Sequence, residues 1–364
     1  EQWKYTNINK FKKYKYNYSF KHREYSKKNN TSIQISNGKL LTKKNNTIFT
    51  DDLKNIITKN LFDAKNKIND SAFNKANHFI KINSKNYNDG VFINIENNST
   101  IDNPIVIKNV VNSNQTKNFL NERMLIIIGD NVSAKFILDE QLSSYCNLNT
   151  VVQLYIGKNS NIDFIHNSEK PKTTQIYNFS ADIESSSTLN LFPINITGKL
   201  IKTNYFINLN KSNSSCHIYS LNLLNNNNHI DHFIKINHID NHTTSSTLQK
   251  NILKGKSKCM FYAKAKIFKK SFNSEVYQTN NNLILSNNAI VHSNPQLEIH
   301  NNDVKCSHGS TTGELDSDAL FYMRSRGIEL SECKKLMLYG FSNSIIDKID
   351  NEPIKQEIKN KINT

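Results

Sequence analysis

Four short segments in the middle of this chain repeat one another. Asn131-Val132-Ser133-Ala134-Lys135-Phe136-Ile137 aligns with Asn159-Ser160-Asn161-Ile162-Asp163-Phe164-Ile165, then with Ser186-Ser187-Thr188-Leu189-Asn190-Leu191 and Ser214-Ser215-Cys216-His217-Ile218-Tyr219, at intervals of about 27 or 28 residues. A short alternating strand behind a polar turn, recurring at that period, predicts one coil of a strand solenoid per repeat. Each rung of a β-helix stacks only on its neighbours, so apolar side chains alternate inward while Asn and Ser fill the turns and form hydrogen-bonded ladders. A two-sheet sandwich with coincidental spacing is the alternative on pattern alone.

The predicted fold is mainly β, a parallel β-helix core over residues 96–314 between a partly helical N-terminal region, 1–95, and a helical C-terminal region, 315–364. In the first region Leu53, Ile56, Ile57, Leu61 and Phe62 recur at helical spacing. In the last, Leu315, Ala319, Leu320, Tyr322 and Met323, then Leu336, Met337, Leu338, Phe341, Ile345, Ile346 and Ile349 do the same. Asp316 or Ser317 is the expected cap of a first helix there and Ser331 the start of a second, with Gly327 and Gly340 as breaks.

Composition excludes several classes of function. Five widely spaced cysteines in 364 residues, with no Cys-x-x-Cys pair, argue against a disulfide framework or a structural zinc site and for a reducing compartment such as the cytoplasm. No apolar run approaches the roughly 18 residues of a membrane span. The chain starts at Glu1 without Met, so a targeting segment could precede it, and a plastid-type organelle is the alternative location. The net charge of +16 is concentrated between Lys10 and Lys28, where Lys and Tyr interleave. That stretch keeps a basic nucleic-acid-binding protein open as the rival class. No RNA- or DNA-binding signature spacing supports it, and a solvated basic surface explains the charge equally well.

The most distinctive segment is Val304-Lys305-Cys306-Ser307-His308-Gly309-Ser310-Thr311-Thr312-Gly313, followed by Leu315-Asp316, Leu320-Phe321-Tyr322 and Ser325-Arg326-Gly327-Ile328. Cys306 and His308 stand two residues apart, so an extended backbone points both to one side. A lone pair of this kind is more often satisfied core than a ligand set. The continuation, with Gln278-Thr279-Asn280, Asn282-Leu283-Ile284-Leu285-Ser286 and Pro295-Gln296-Leu297-Glu298-Ile299 before it and Glu1-Gln2-Trp3-Lys4-Tyr5-Thr6-Asn7 at the start, resembles the SufD family, the non-ATPase scaffold subunits of the SUF iron–sulfur cluster assembly complex. The paralogous SufB family is the nearest alternative, but its corresponding segment typically carries an acidic residue, His and Glu. The chain departs from family habit in its scarce glycine and abundant asparagine.

The resemblance implies a right-handed parallel β-helix, a non-enzymatic role, and two partners, SufB through the β-helix and the ATPase SufC through the C-terminal helices. Homodimerisation in isolation is a further expectation; nucleic acid and membrane are not expected partners. It implies that Cys306 and His308 serve as transient ligands for an iron–sulfur cluster nascent at a subunit interface, buried at rest. Leu320, Phe321, Tyr322, Arg324, Arg326 and Gly327 are implied as the SufC docking element; the bland reading is that the helical tail merely caps the solenoid end. A thiolate suits iron and sulfide, and a neutral imidazole is an exchangeable ligand, but two ligands are too few for a closed site. Lys305 would lower the thiol pKa only if it shared the strand face of Cys306.

Other chemistries fare worse. No Gly-x-x-x-x-Gly-Lys-(Ser/Thr) loop is present, so no nucleotide is expected on this chain. Asp163, Asp182 and Asp240 are isolated rather than clustered as a β-helix polysaccharide enzyme requires. His229, Asp231, His232, His238, Asp240 and His242 form the richest His/Asp cluster, with His232, His238, Asp240 and His242 of one parity; a structural ladder is expected there, and a metal site is the alternative.

Overall fold

A computed structural model describes residues 6, 15–16, 32–36, 39–40, 56–60, 77–87, 90–111, 118–142 and 145–362. Its centre is a solenoid of two facing sheets whose neighbouring strands run parallel. In the first sheet Ser133, Asn161, Thr188, Ser215 and Thr244 stand in register, so successive coils are 28, 27, 27 and 29 residues long. The second sheet repeats the pattern through Asn147 and Thr174 and then through His229 and Lys258. The long strands Asn161–Ile183 and Thr188–Leu209 turn the corner and serve both sheets. Parallel ladders throughout the coil rule out the sandwich.

The turns explain why asparagine is so common. Asn98, Asn131, Asn159, Ser186, Asn213, His242 and Asn273 have positive φ, each at the head of a coil. Asn tolerates this left-handed conformation better than other residues with a Cβ. It also links coils, since Asn131 Nδ2 donates to Asn98 Oδ1 at 2.7 Å. The residue after the turn adds a second ladder: the Val132 amide donates to Ser160 Oγ and the Ser160 amide to Ser187 Oγ. The register corrects one alignment. Leu189 pairs with Cys216, not His217, so the fourth repeat begins at Asn213.

Inside the coil, Phe136, Phe164, Leu191 and Ile218 of the first sheet meet Val152, Phe179, Tyr205 and Ile234 of the second in one apolar core. Helix α1 (His78–Asn86), capped by Asn77, lies against the second sheet, where Asn83 Nδ2 donates to the carbonyls of Glu122 and Asn149 at 2.8 Å each. The expected helical patch is overturned at Ile56 and Ile57. Ile56–Asn60 is a strand antiparallel to Val91–Ile95, in keeping with the β preference of Ile-Ile-Thr. Leu53, Leu61 and Phe62 lie outside the described residues, as does the Lys10–Lys28 stretch except for Lys15 and Tyr16.

After Gly313 come α2 (Ser317–Ser325), α3 (Leu330–Ile346) and α4 (Glu352–Ile362). Asp316 caps α2. Glu329, not Ser331, caps α3, accepting from the Ser331 amide at 3.2 Å. Gly340 is interior to α3 and breaks nothing, whereas Gly327, at φ +84° just beyond α2, ends that helix as expected. Ile345, Ile346, Ile349 and Ile358 pack on the outer face of the first sheet, against Phe192, Ile194, Leu221 and Ile252. The tail therefore clads the flank of the solenoid instead of closing its end.

Candidate functional site

The last coil leaves both sheets open. Ile290–Ile299 pairs only with Lys258–Ile267, and Val304–Gly313 only with Ser274–Ile284, so among the described residues each strand presents an unpaired backbone edge. On that final strand Cys306 continues the inward column of Cys216, Ser245 and Val276, and His308 the column of Ile218, Thr247 and Gln278. The two side chains thus share one face, as their spacing predicts. Cys306 is half-buried against the cluster of Ala265, Ile267 and Val276; His308 is exposed. Among the described residues no further rung covers the pair, so this chain by itself does not enclose it.

Lys305 does not activate the thiol. Its ammonium lies 3.2 Å from Glu275, its strand neighbour on the opposite face, and partial burial pushes the Cys306 pKa up rather than down. The site offers one thiol and one imidazole on an open edge. Among the described residues no three His, Cys, Asp or Glu side chains converge.

The 229–242 cluster is pulled apart by the fold. His232 faces inward, its Nδ1 2.6 Å from Thr203 Oγ1 and its Nε2 3.1 Å from Asn222 Oδ1. His238 lies 2.8 Å from both Thr243 Oγ1 and Ser245 Oγ. Burial drives their pKa values down to about 3 and about 4, so both are neutral. Asp231 points to the outer face, where it accepts from Thr6 and pairs with Lys202 at 2.7 Å. Asp240 and His242 sit in a turn. These are structural contacts.

Sequence reasoning missed an inward polar lining that leads to the site. Asn195, Asn222, Asn251 and Asn282 stack as a buried amide ladder, with contacts of 2.8, 2.6 and 2.6 Å. Asn282 then donates to the Thr311 carbonyl on the last strand. Further back, Glu140 is hydrogen-bonded to Lys170 and lies 2.6 Å from His166 Nε2. The coil period was the available signal: each pair lies about one repeat apart.

Helix α2 buries no side chain. Phe321 is 76% and Tyr322 59% exposed. Leu320 is half-buried and Arg324 exposed. Arg326 lies over the Tyr322 ring at 5.2 Å and donates to its hydroxyl. Gly327 has open space around it.

Residues 110–341 match the family described as "SUF system FeS cluster assembly, SufBD core domain". The chain belongs to the SufBD family. It is 32% identical to the iron–sulfur cluster assembly protein SufD of Escherichia coli over 165 residues, 45% of this chain and 39% of that protein. It is 25% identical to the SufBD family protein slr0076 of Synechocystis over 285 residues, 74% of this chain and 62% of that protein. A chloroplastic SufBD family protein of Arabidopsis thaliana, ABCI8, is 25% identical over 289 residues, 76% of this chain and 51% of its own length. The chain thus covers less than two thirds of each of these relatives. Its SufD-like character and its solenoid agree with the sequence reading, and no described helix is long and apolar enough to cross a membrane.

Proposed function

We propose that this SufBD family chain is a non-catalytic scaffold that pairs, through the open edge of its last coil, with a SufB-type subunit and lends Cys306 and His308 to a cluster assembled between them. The carrying observation is the position of the pair. A half-buried thiol and an exposed imidazole share one face of an unpaired edge strand, and a second subunit adding a strand there would supply the missing ligands. The cluster is cargo, held by too few groups on this side to be retained. In isolation, the same edge supports a homodimer.

Docking of a SufC-type ATPase falls to α2 and the turn that ends it, through Leu320, Phe321, Tyr322, Arg324, Arg326 and Gly327. Phe321 and Tyr322 are large apolar surfaces on a helix that buries nothing, a combination that favours a protein partner. The division at 95/96 and 314/315 and a reducing compartment, cytoplasm or plastid type, belong to this reading, in keeping with five free cysteines.

The test is anaerobic co-purification with the SufB- and SufC-type partners, comparing the intact chain with Cys306→Ser/His308→Ala. The double variant is expected to assemble normally and lose cluster absorbance. Unchanged cluster yield sinks the ligand role, and an intact chain that recruits neither partner sinks the scaffold role.

A further inference from the structure

Between the start of α3, the turn after Ile284 and the link Glu314–Leu315 lies a groove with a volume of about 600 Å³. Its walls are aliphatic, with Leu285, Leu315 and Leu338 prominent, and its rim carries Lys254, Lys334 and Lys335. The apolar seam of α3 and α4 on the first sheet is filled further along by Ile345, Ile346 and Ile349, each fully buried. Here the helix stands off the sheet, and the seam opens.

The charge around it is unbalanced. Among the described residues Glu314 is the one carboxylate in the lining. Among the described residues neither Lys254 nor Lys334 has a carboxylate in ion-pair range, and Lys335 lies 3.7 Å from Glu332. The amino end of α3 adds partial positive charge of its own. A free inorganic anion would leave the aliphatic walls wet, and a purely apolar ligand would bring low-dielectric matter against the lysines. An occupant with both features suits the site.

We propose that this groove receives an acidic segment, one bearing Asp or Glu beside Leu- or Ile-type side chains, from the ATPase subunit that docks on α2. This rests on the docking reading above and extends it. Leu320 of α2 itself lines the groove, and the next two residues are the exposed Phe321 and Tyr322, so one partner covering α2 reaches both. The aromatic pair supplies apolar area, and the lysine rim fixes register and orientation by charge.

Binding of the purified ATPase subunit to the full chain, measured at low and at physiological salt, tests it. Three proteins are compared: the unaltered chain, Phe321→Ala/Tyr322→Ala, and Lys254→Glu/Lys334→Glu/Lys335→Glu. The lysines are exposed or half-buried, and Lys254→Gln/Lys334→Gln/Lys335→Gln serves where charge reversal disturbs the melting temperature. The expected result is a loss of affinity of about tenfold or more for the lysine variant, together with a flatter salt dependence than that of the unaltered chain. If the aromatic variant weakens binding while both lysine variants keep the original affinity and salt dependence, the groove assignment is overturned and docking on α2 stands. If neither surface matters, or the unaltered chain does not bind, the docking reading falls and takes this one with it.

Discussion

A single proton governs the most unusual residue cluster in the coil. Glu122 is fully buried, and its Oε2 accepts from Thr150 Oγ1 and Asn109 Nδ2 at 2.9 Å each. Burial, and then the nearby Glu140, raise its pKa to about 7. Glu140 is itself disfavoured by burial, but Lys170 and His166 outweigh this and hold it well below the usual carboxylate range. Burial disfavours the charged form of His166, which leaves Lys170 as the principal cation facing the two acids. Because the folded pKa of Glu122 lies above the ordinary value of 4.5, the fold is favoured by its proton below that value, and this contribution is lost as pH rises through about 7. Glu122→Gln keeps an oxygen to accept both hydrogen bonds and removes the titration. Thermal unfolding is therefore expected to show the variant several degrees more stable than the parent at pH 8 and little different at pH 5; an equal shift at both pH values refutes the linkage.

Ladders show both what the sequence displays and what it hides. The turn ladder was legible, because Asn or Ser stands at six of the seven coil heads with positive φ, His242 being the exception. Cys306 and His308 were legible for the same reason: period two put them on one face, and the register keeps them there. The interior amides were not. Inward positions of a β-helix are expected to be apolar, yet Thr247, Gln249 and Asn251 all point inward, a choice that only ladder partners one coil away make tolerable. Helix limits were partly hidden too, since α4 shows itself only through Ile354, Ile358 and Ile362 at four-residue spacing, and a carboxylate at position 329 caps as well as a hydroxyl does. Asn251 donates to Asn280 and Asn282 and accepts from Asn222 and Gln249. Asn251→Ala strands these buried groups, with an expected cost of about 1–3 kcal/mol by denaturant titration. A cost well below that range means that the amides re-pair without their centre, and the ladder is then not a stabilising element.

At the scale of the whole molecule, a solenoid has two kinds of surface to protect, its flanks and its ends, and this chain treats them differently. The flank of the first sheet carries Phe192, Ile194, Leu221 and Ile252, all covered by α3 and α4. Each such side chain is worth about 1.5–3 kcal/mol when buried, against a typical domain stability of about 5–15 kcal/mol. The open end, by contrast, is left with strand edges and the Cys306–His308 pair, the arrangement expected where a partner completes the coil. It follows that the C-terminal region cannot be removed as a neutral docking module. A chain ending at residue 314 is expected to melt far below the parent, bind a hydrophobic dye and aggregate, whereas Phe321→Ala/Tyr322→Ala, which touches only exposed side chains of α2, is expected to keep the parental melting temperature. Comparing these two proteins separates cladding from docking: loss of the ATPase partner in both, with stability lost only in the first, assigns α2 to recognition and α3 with α4 to the fold. A truncated chain as stable as the parent would mean that the flank needs no cover, and the packing argument would fail.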